Sequence, residues 1–149
     1  MRTTKKWGTP LWMFFHIISL KIHEEYFIKN KHFIIHHLIN EMINKIPCEY
    51  CRGDAVNVYK HNKHKIQSKE QFINFFYEFH NHVNKKTNTK LPSKDILEQY
   101  KKYTIFDALK YLNTYLIYTD NSNLLYKSQK YKYKSYLVSY FNSNYRNYL

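Results

Sequence analysis

Glycine and cysteine are the scarce residues of this 149-residue chain: two of each, beside three prolines. Two glycines exclude a glycine-rich phosphate loop, which needs two or three clustered together. Two cysteines exclude a disulfide-stapled scaffold. No apolar run is long enough to cross a bilayer: the longest, Leu11–Leu20, is interrupted by His16 and Ser19. Acidic residues are also few, 11 against 24 Lys and Arg, which leaves a formal charge of +13. What the chain does have is 44% hydrophobic and 19% aromatic residues, with 16 Tyr, too much for a disordered polymer. The length fits one domain with a tail.

The charge points first to nucleic acid. A dedicated nucleic-acid arm is usually a dense block of basic residues, and here the Lys residues are spread along the chain among Asn, Ile and Tyr. Arg2, Lys5 and Lys6 before an apolar stretch resemble a signal peptide, but Lys21–Glu25 offers no small-residue cleavage site. The expectation is an unprocessed, soluble, cytoplasmic chain with no membrane contact.

The periodicity is helical throughout. Leu11, Phe14, Phe15, Ile18 and Ile22 mark a first helix, with Thr9 as its cap and Pro10 at its first position. Ile34, Ile35, Leu38, Ile39, Met42, Ile43 and Ile46 mark a second, ended by Pro47. A third is expected from about Cys48 to His61. Ser68 and Gln71 form a capping box for a fourth, which carries Phe72, Phe75, Phe76, Phe79 and Val83. Ser93 caps a short fifth with Ile96, Leu97 and Tyr100. Ile105, Leu109, Leu112 and Leu116 suggest another helix. Residues 120–128 read as a loop, and beyond it Tyr133, Tyr136, Leu137, Tyr140 and Phe141 suit one helical face. The fold class is all-α: a compact bundle of four helices plus a short fifth, with a C-terminal extension that is helical or partly irregular.

The two cysteines form Cys48-Glu49-Tyr50-Cys51, a C-x-x-C opening a helix. Free N–H groups and the positive end of the helix dipole favour a thiolate there, which suits redox chemistry. The βαβ surroundings of a thioredoxin are missing. A zinc reading, Cys48, Cys51, His61 and His64, has gaps shorter than the usual finger pattern.

Three motifs occur in order: Trp7-Gly8-Thr9-Pro10-Leu11-Trp12 running on to His16, Pro47-Cys48-Glu49-Tyr50-Cys51, and Phe79-His80-Asn81-His82-Val83-Asn84. Together they resemble the Erv/ALR family of FAD-linked sulfhydryl oxidases over about residues 7–104. The resemblance implies an oxidase domain at 1–104 and an extension at 105–149. It implies FAD as cofactor, held by Gly8, Trp12, His16, Cys51, Phe76, His80, Asn81, Val83, Asn84, Lys86 and Lys90. It makes Cys51 the flavin-side cysteine and Cys48 the one that meets substrate, with electrons passing through FAD to O2 and giving H2O2. The spacing agrees: Trp12 and His16 share one helix face, as do Phe76, His80 and Asn84, and Lys85, Lys86 and Lys90 sit where a pyrophosphate could be neutralised.

The chain has no second cysteine pair to shuttle electrons. A protein dithiol, or a thioredoxin-like partner, is therefore expected to reach Cys48 directly. The arrangement is similar to the minimal enzymes of large cytoplasmic DNA viruses, placing the chain in host cytoplasm or virion, and the family pattern implies a homodimer. No metal is expected. A nucleic-acid-binding module and a small zinc domain remain the alternatives.

Overall fold

The computed structural model describes residues 4–89, 92–120 and 127–149. The order is α1 (Thr4–Lys21), α2 (Glu24–Phe33), a π-helical segment (Ile34–Ile39), α3 (Asn40–Asn44), α4 (Glu49–Asn62), a 3-10 turn (Lys63–Lys65) and α5 (Lys69–Lys86). Then follow α6 (Ile96–Tyr100), α7 (Ile105–Asp120), α8 (Lys127–Asn144) and a 3-10 turn (Tyr145–Tyr148). No strand occurs among the described residues. The class is all-α, as the periodicity indicates.

α1 is the central element. Leu11, Phe14, Phe15, Ile17 and Ile18 are buried on more than one side of it, and Ile22 just past its end, the pattern of a helix surrounded by others. α5 packs on one flank and α7 on another. Phe15 stacks on Phe76 of α5 with centroids 4.5 Å apart, and Phe14 meets Phe141 of α8 edge-on. α1 starts at Thr4, so Pro10 lies inside it rather than at its first position, and Thr9 is not its cap. A proline there forfeits one bond, to the carbonyl four residues earlier. Packing of Leu11, Phe14 and Phe15 outweighs that loss.

The second helix begins ten residues before its apolar stripe. Glu24 and Glu25 in its first turn complement the dipole, and Phe27 is its buried anchor. Polar Lys29, Asn30 and Lys31 obscure this stretch in the sequence. It kinks at Asn30 (φ −116°, ψ 16°) and widens to a π-helix at Ile34–Ile39 before ending as α3. Tyr59 of α4 donates its hydroxyl to the Ile35 carbonyl at 2.5 Å, and Tyr115 of α7 donates to Met42 of α3 at 2.8 Å.

Caps fix the other ends. Ser68 Oγ accepts from Gln71 N, while the Gln71 side chain reaches Gln67 N rather than Ser68 N. Ser93 does not cap α6 with its side chain; Asp95 precedes the helix and only the Ser93 carbonyl is used. Thr104 and Asp107 form a reciprocal capping box for α7.

The expected loop at 120–128 is narrower than its sequence suggests. Asp120, Lys127 and Ser128 are helical, and residues 121–126 lie outside the described residues. α8 buries Tyr133, Leu137 and Phe141, spaced one turn apart, but leaves Tyr136 exposed. Ile105, Ala108, Leu112, Tyr115, Leu116, Leu137 and Phe141 share one core with α1 and α5. The C-terminal hairpin thus covers the bundle. Its end is tied back by His23 N donating to the Asn147 carbonyl and by a hydroxyl chain from Tyr26 through Tyr140 to Tyr148.

Candidate active site

Cys48 stands at the N-cap of α4 in extended backbone (φ −83°, ψ 116°), where Pro47 prevents the preceding helix from running on. Its sulfur accepts the Cys51 backbone N–H at 3.2 Å, a sulfur version of an N-cap bond. Cys48 and Cys51 are joined in a disulfide with Cα atoms 5.2 Å apart. One turn of helix brings them together, so the C-x-x-C spacing alone makes the pair.

Three interactions fix α4 around the pair. Arg52 donates to the Ile46 carbonyl at 2.8 Å. Tyr59 reaches the π segment. Asp54 accepts from Lys86 at 2.6 Å and lies 3.2 Å from His82, which ties α4 to α5. The carboxylate holds the Lys86 ammonium above its ordinary pKa.

Beside the disulfide lies a cavity of about 360 Å³ between α1, α4 and α5. Gly8 and Trp12 of α1, Cys51 of α4, and His80, Val83 and Asn84 of α5 line it, six of the residues expected there. Cys48 does not line it. Trp12 and His80 lie parallel, 4.5 Å apart at 9°, and Phe79 meets Trp12 edge-on. The result is a flat aromatic wall with an amide at one end.

His16 and Phe76 lie behind this wall. Phe76 is fully buried against Phe15 and Phe72. His16 is buried, its Nε2 is 2.9 Å from His80 Nδ1, and its ring stacks on Tyr100 of α6. Burial and the neighbouring His80 push the His16 pKa down to about 3, and burial pushes His80 down to about 4. Both rings are neutral at pH 7. His16 Nδ1 is buried without a partner. An unmatched acceptor is tolerated better than an unmatched N–H, so the proton sits on His16 Nε2 and points to His80 Nδ1. The His80 proton is then on Nε2. Asn81, also expected at the cofactor, does not line the cavity; its Oδ1 is buried and unpaired. Lys86 does not line the cavity; its ammonium is engaged by Asp54. Lys90 lies outside the described residues.

Residues not singled out in the sequence also line the cavity: Leu11, Phe15, Ile46 and Ala55 supply apolar surface, and Thr87 and Thr89 supply hydroxyls. The aliphatic ones carry no signal that separates them from core. Thr87 and Thr89 follow α5, where Asn88 takes a left-handed conformation (φ 55°) and turns the chain back. A polar Thr-Asn-Thr turn three residues after Asn84 is the signal that could have found them.

The zinc arrangement does not form. Cys48 and Cys51 are bonded to each other, and His61 lies at the far end of α4, about 20 Å along a straight helix. Among the described residues no group of three or more His, Cys, Asp or Glu is arranged to hold a metal, and no helix is long and apolar enough to cross a membrane.

A helical bundle that sets one sulfur of a redox pair into an aromatic, nucleotide-sized slot defines a cofactor-linked dithiol–disulfide protein. The Erv1/Alr family model matches residues 9–102, and the chain belongs to that family. Relatives in African swine fever virus, from isolates of Malawi and Kenya, are each called "FAD-linked sulfhydryl oxidase". Each is 27% identical over 108 residues, covering 72% of this chain and 90% of the relative. A Namibian isolate's protein of the same name is 26% identical over the same length. No solved structure matches the chain significantly.

Proposed function

We infer that the protein is an FAD-linked sulfhydryl oxidase, which joins the thiols of a substrate dithiol into a disulfide and delivers the electrons to O2. The observation that carries this reading is the placement of the pair: Cys51 lines the aromatic cavity while Cys48 does not.

The residues present fit FAD. The cavity volume lies in the range of cofactor sites, roughly 300–1,000 Å³, and apolar walls with few polar groups suit a flat ring system. The Asn84 amide and the Thr87 and Thr89 hydroxyls line the cavity as polar anchors. Trp12, His80, Val83 and Asn84 would hold the cofactor, with His16 and Phe76 supporting them from behind and Gly8 keeping the wall of α1 low. Lys86 and Lys90 are proposed near the phosphates, Lys86 by exchanging its Asp54 bond. Bound FAD supplies the two-electron acceptor that reoxidises the pair and passes the electrons to O2, giving H2O2.

The protein's own steps are thiol–disulfide exchange. A substrate thiolate attacks Cys48 Sγ; the Cys48–Cys51 bond breaks and Cys51 leaves as thiolate. The second substrate thiolate attacks the sulfur joined to Cys48; the substrate disulfide forms and Cys48 leaves as thiolate. The α4 N-terminus stabilises the thiolates, with the Cys51 N–H directed at Cys48 Sγ. His80, kept neutral, places an N–H rather than a positive charge at the cavity wall.

Residues 1–104 are proposed as the oxidase domain, with 105–149 as an extension packed on it. Protein dithiols or a thioredoxin-like partner are the proposed substrates, two copies are proposed to associate, and the viral relatives favour a host-cytoplasm or virion setting. The test is oxygen uptake by purified, FAD-loaded protein given dithiothreitol. Uptake with H2O2 formation is expected; no uptake overturns the reading.

A further inference from the structure

The basic residues are spread along the sequence, but the fold gathers part of them. Residues 26–40 and 55–69 hold six lysines and five histidines and no Asp or Glu. Tyr59, donating to the Ile35 carbonyl, lays the end of α4 against the π segment. Lys31 of α2 donates to Gln67 Oε1 at 2.6 Å, and Gln67 donates to the His64 carbonyl. The Lys63 ammonium lies 6.0 Å from the centroid of the Tyr59 ring. The two segments therefore form one surface at the end of α4 remote from Cys48, about 20 Å along the helix.

The π-helical widening shapes the centre of this surface. His32 meets His36, at i+4, with ring centroids 4.7 Å apart, and His37, at i+5, at 5.6 Å. In a regular α-helix the i+5 side chain points about 140° away; a turn that closes at i+5 brings it alongside, and such turns are frequent at functional sites. Burial, then Lys63, His32 and His37, push the His36 pKa down, with no carboxylate opposing them. The flanking carboxylates are engaged elsewhere: Glu25 by Lys29, Glu41 by Lys45, and Glu24 faces Lys69. Glu70 stands in the first turn of α5, outside both segments. Among the described residues, neither Lys31, Lys63 nor the three histidines have a carboxylate within ion-pair distance. The Lys63 charge beside the rings opposes a metal cation there and favours an anion.

We propose that the surface formed by Lys31, His32, His36 and Lys63 binds the phosphodiester backbone of single-stranded nucleic acid, a function separate from dithiol oxidation. Lysines on two elements meet more than one phosphate, which a polymer supplies and a lone inorganic phosphate does not. His32 and His37 are exposed, and imidazole rings stack on unpaired bases, which favours a single strand over an anionic membrane. A bound phosphate stabilises the imidazolium form. Binding therefore takes up protons and tightens as pH falls through the ordinary histidine range.

The test is fluorescence anisotropy of a labelled oligothymidine with the full chain at low salt, a readout that needs no turnover and so stands apart from the oxidase reading. Affinity is expected to rise roughly tenfold from about pH 7.5 to about pH 6 and to fall with salt. The double variant Lys31→Gln, Lys63→Gln is expected to lose roughly tenfold, and His32→Gln, His36→Gln to lose the pH dependence. Lys130→Gln, Lys132→Gln removes the same charge from α8 and is expected to bind as wild type does. Cooperative thermal unfolding checks each variant; if the lysine variant does not fold, the histidine variant decides, and a retained pH dependence overturns the proposal. Absence of oligothymidine binding by wild type overturns it. So does equal weakening by the α8 variant, which signals diffuse net charge only. Binding of inorganic phosphate or of phosphatidylserine vesicles, with oligothymidine unbound, assigns the surface to another anion and overturns it as well.

Discussion

Cys48 and Cys51 differ only in what surrounds them. One is a helix cap accepting an N–H; the other looks into an aromatic cavity. Cys51→Ser should abolish dithiol oxidation yet leave bound flavin, measured by oxygen uptake and visible absorbance; retained turnover would reverse the assignment of roles. The buried histidines set a pH dependence. Their folded pKa values, about 3 and about 4, lie below the ordinary 6.5. The unfolded chain therefore binds protons that the folded one refuses. Stability from these groups is fully present above pH 6.5 and is lost as pH falls toward 3, by a few kcal/mol in all. Urea midpoints measured between pH 4 and 7 should fall toward acid. His16→Phe should flatten that slope; an unchanged slope would show that His16 is not the source. His16 and His80 were legible through the family motifs they resemble. Their hydrogen bond was not, since it joins residues 64 apart in sequence.

At the scale of elements, α4 is held by side chains that compensate an irregular neighbour. Tyr59 is tied to the Ile35 carbonyl of the π segment. Tyr59→Phe removes that buried bond and should cost about 0.5–1.5 kcal/mol, seen as a lower urea midpoint with unchanged m-value; an unchanged midpoint contradicts this account. The ends of α4 and α5 were legible because Pro47, Ser68 and Gln71 are local signals. The start of α1 was not. Pro10 is a local veto that core packing overrides, and propensity yields to burial when a helix is enclosed. α2 was missed for the opposite reason: with one buried side chain, Phe27, it shows no stripe to read.

On the scale of the whole molecule, one core runs from α1 through α8. The apolar periodicity of 105–116 announced a helix, but not that it would cover α1, because no pattern within a segment names its packing partner. A chain ending after Thr104 would expose Phe14, which Phe141 covers, and the side of α1 on which α7 packs. It should lose cooperative thermal unfolding and flavin retention; a cooperative, yellow truncation would show that 105–149 is dispensable. The central claim, a flavin in contact with the Cys48–Cys51 pair, is tested most directly by the visible spectrum of the purified protein during addition of dithiothreitol without air. The account predicts a flavin band that bleaches and returns when air is admitted. Protein that is colourless and takes up no added FAD, or a band that dithiothreitol leaves untouched, would contradict it.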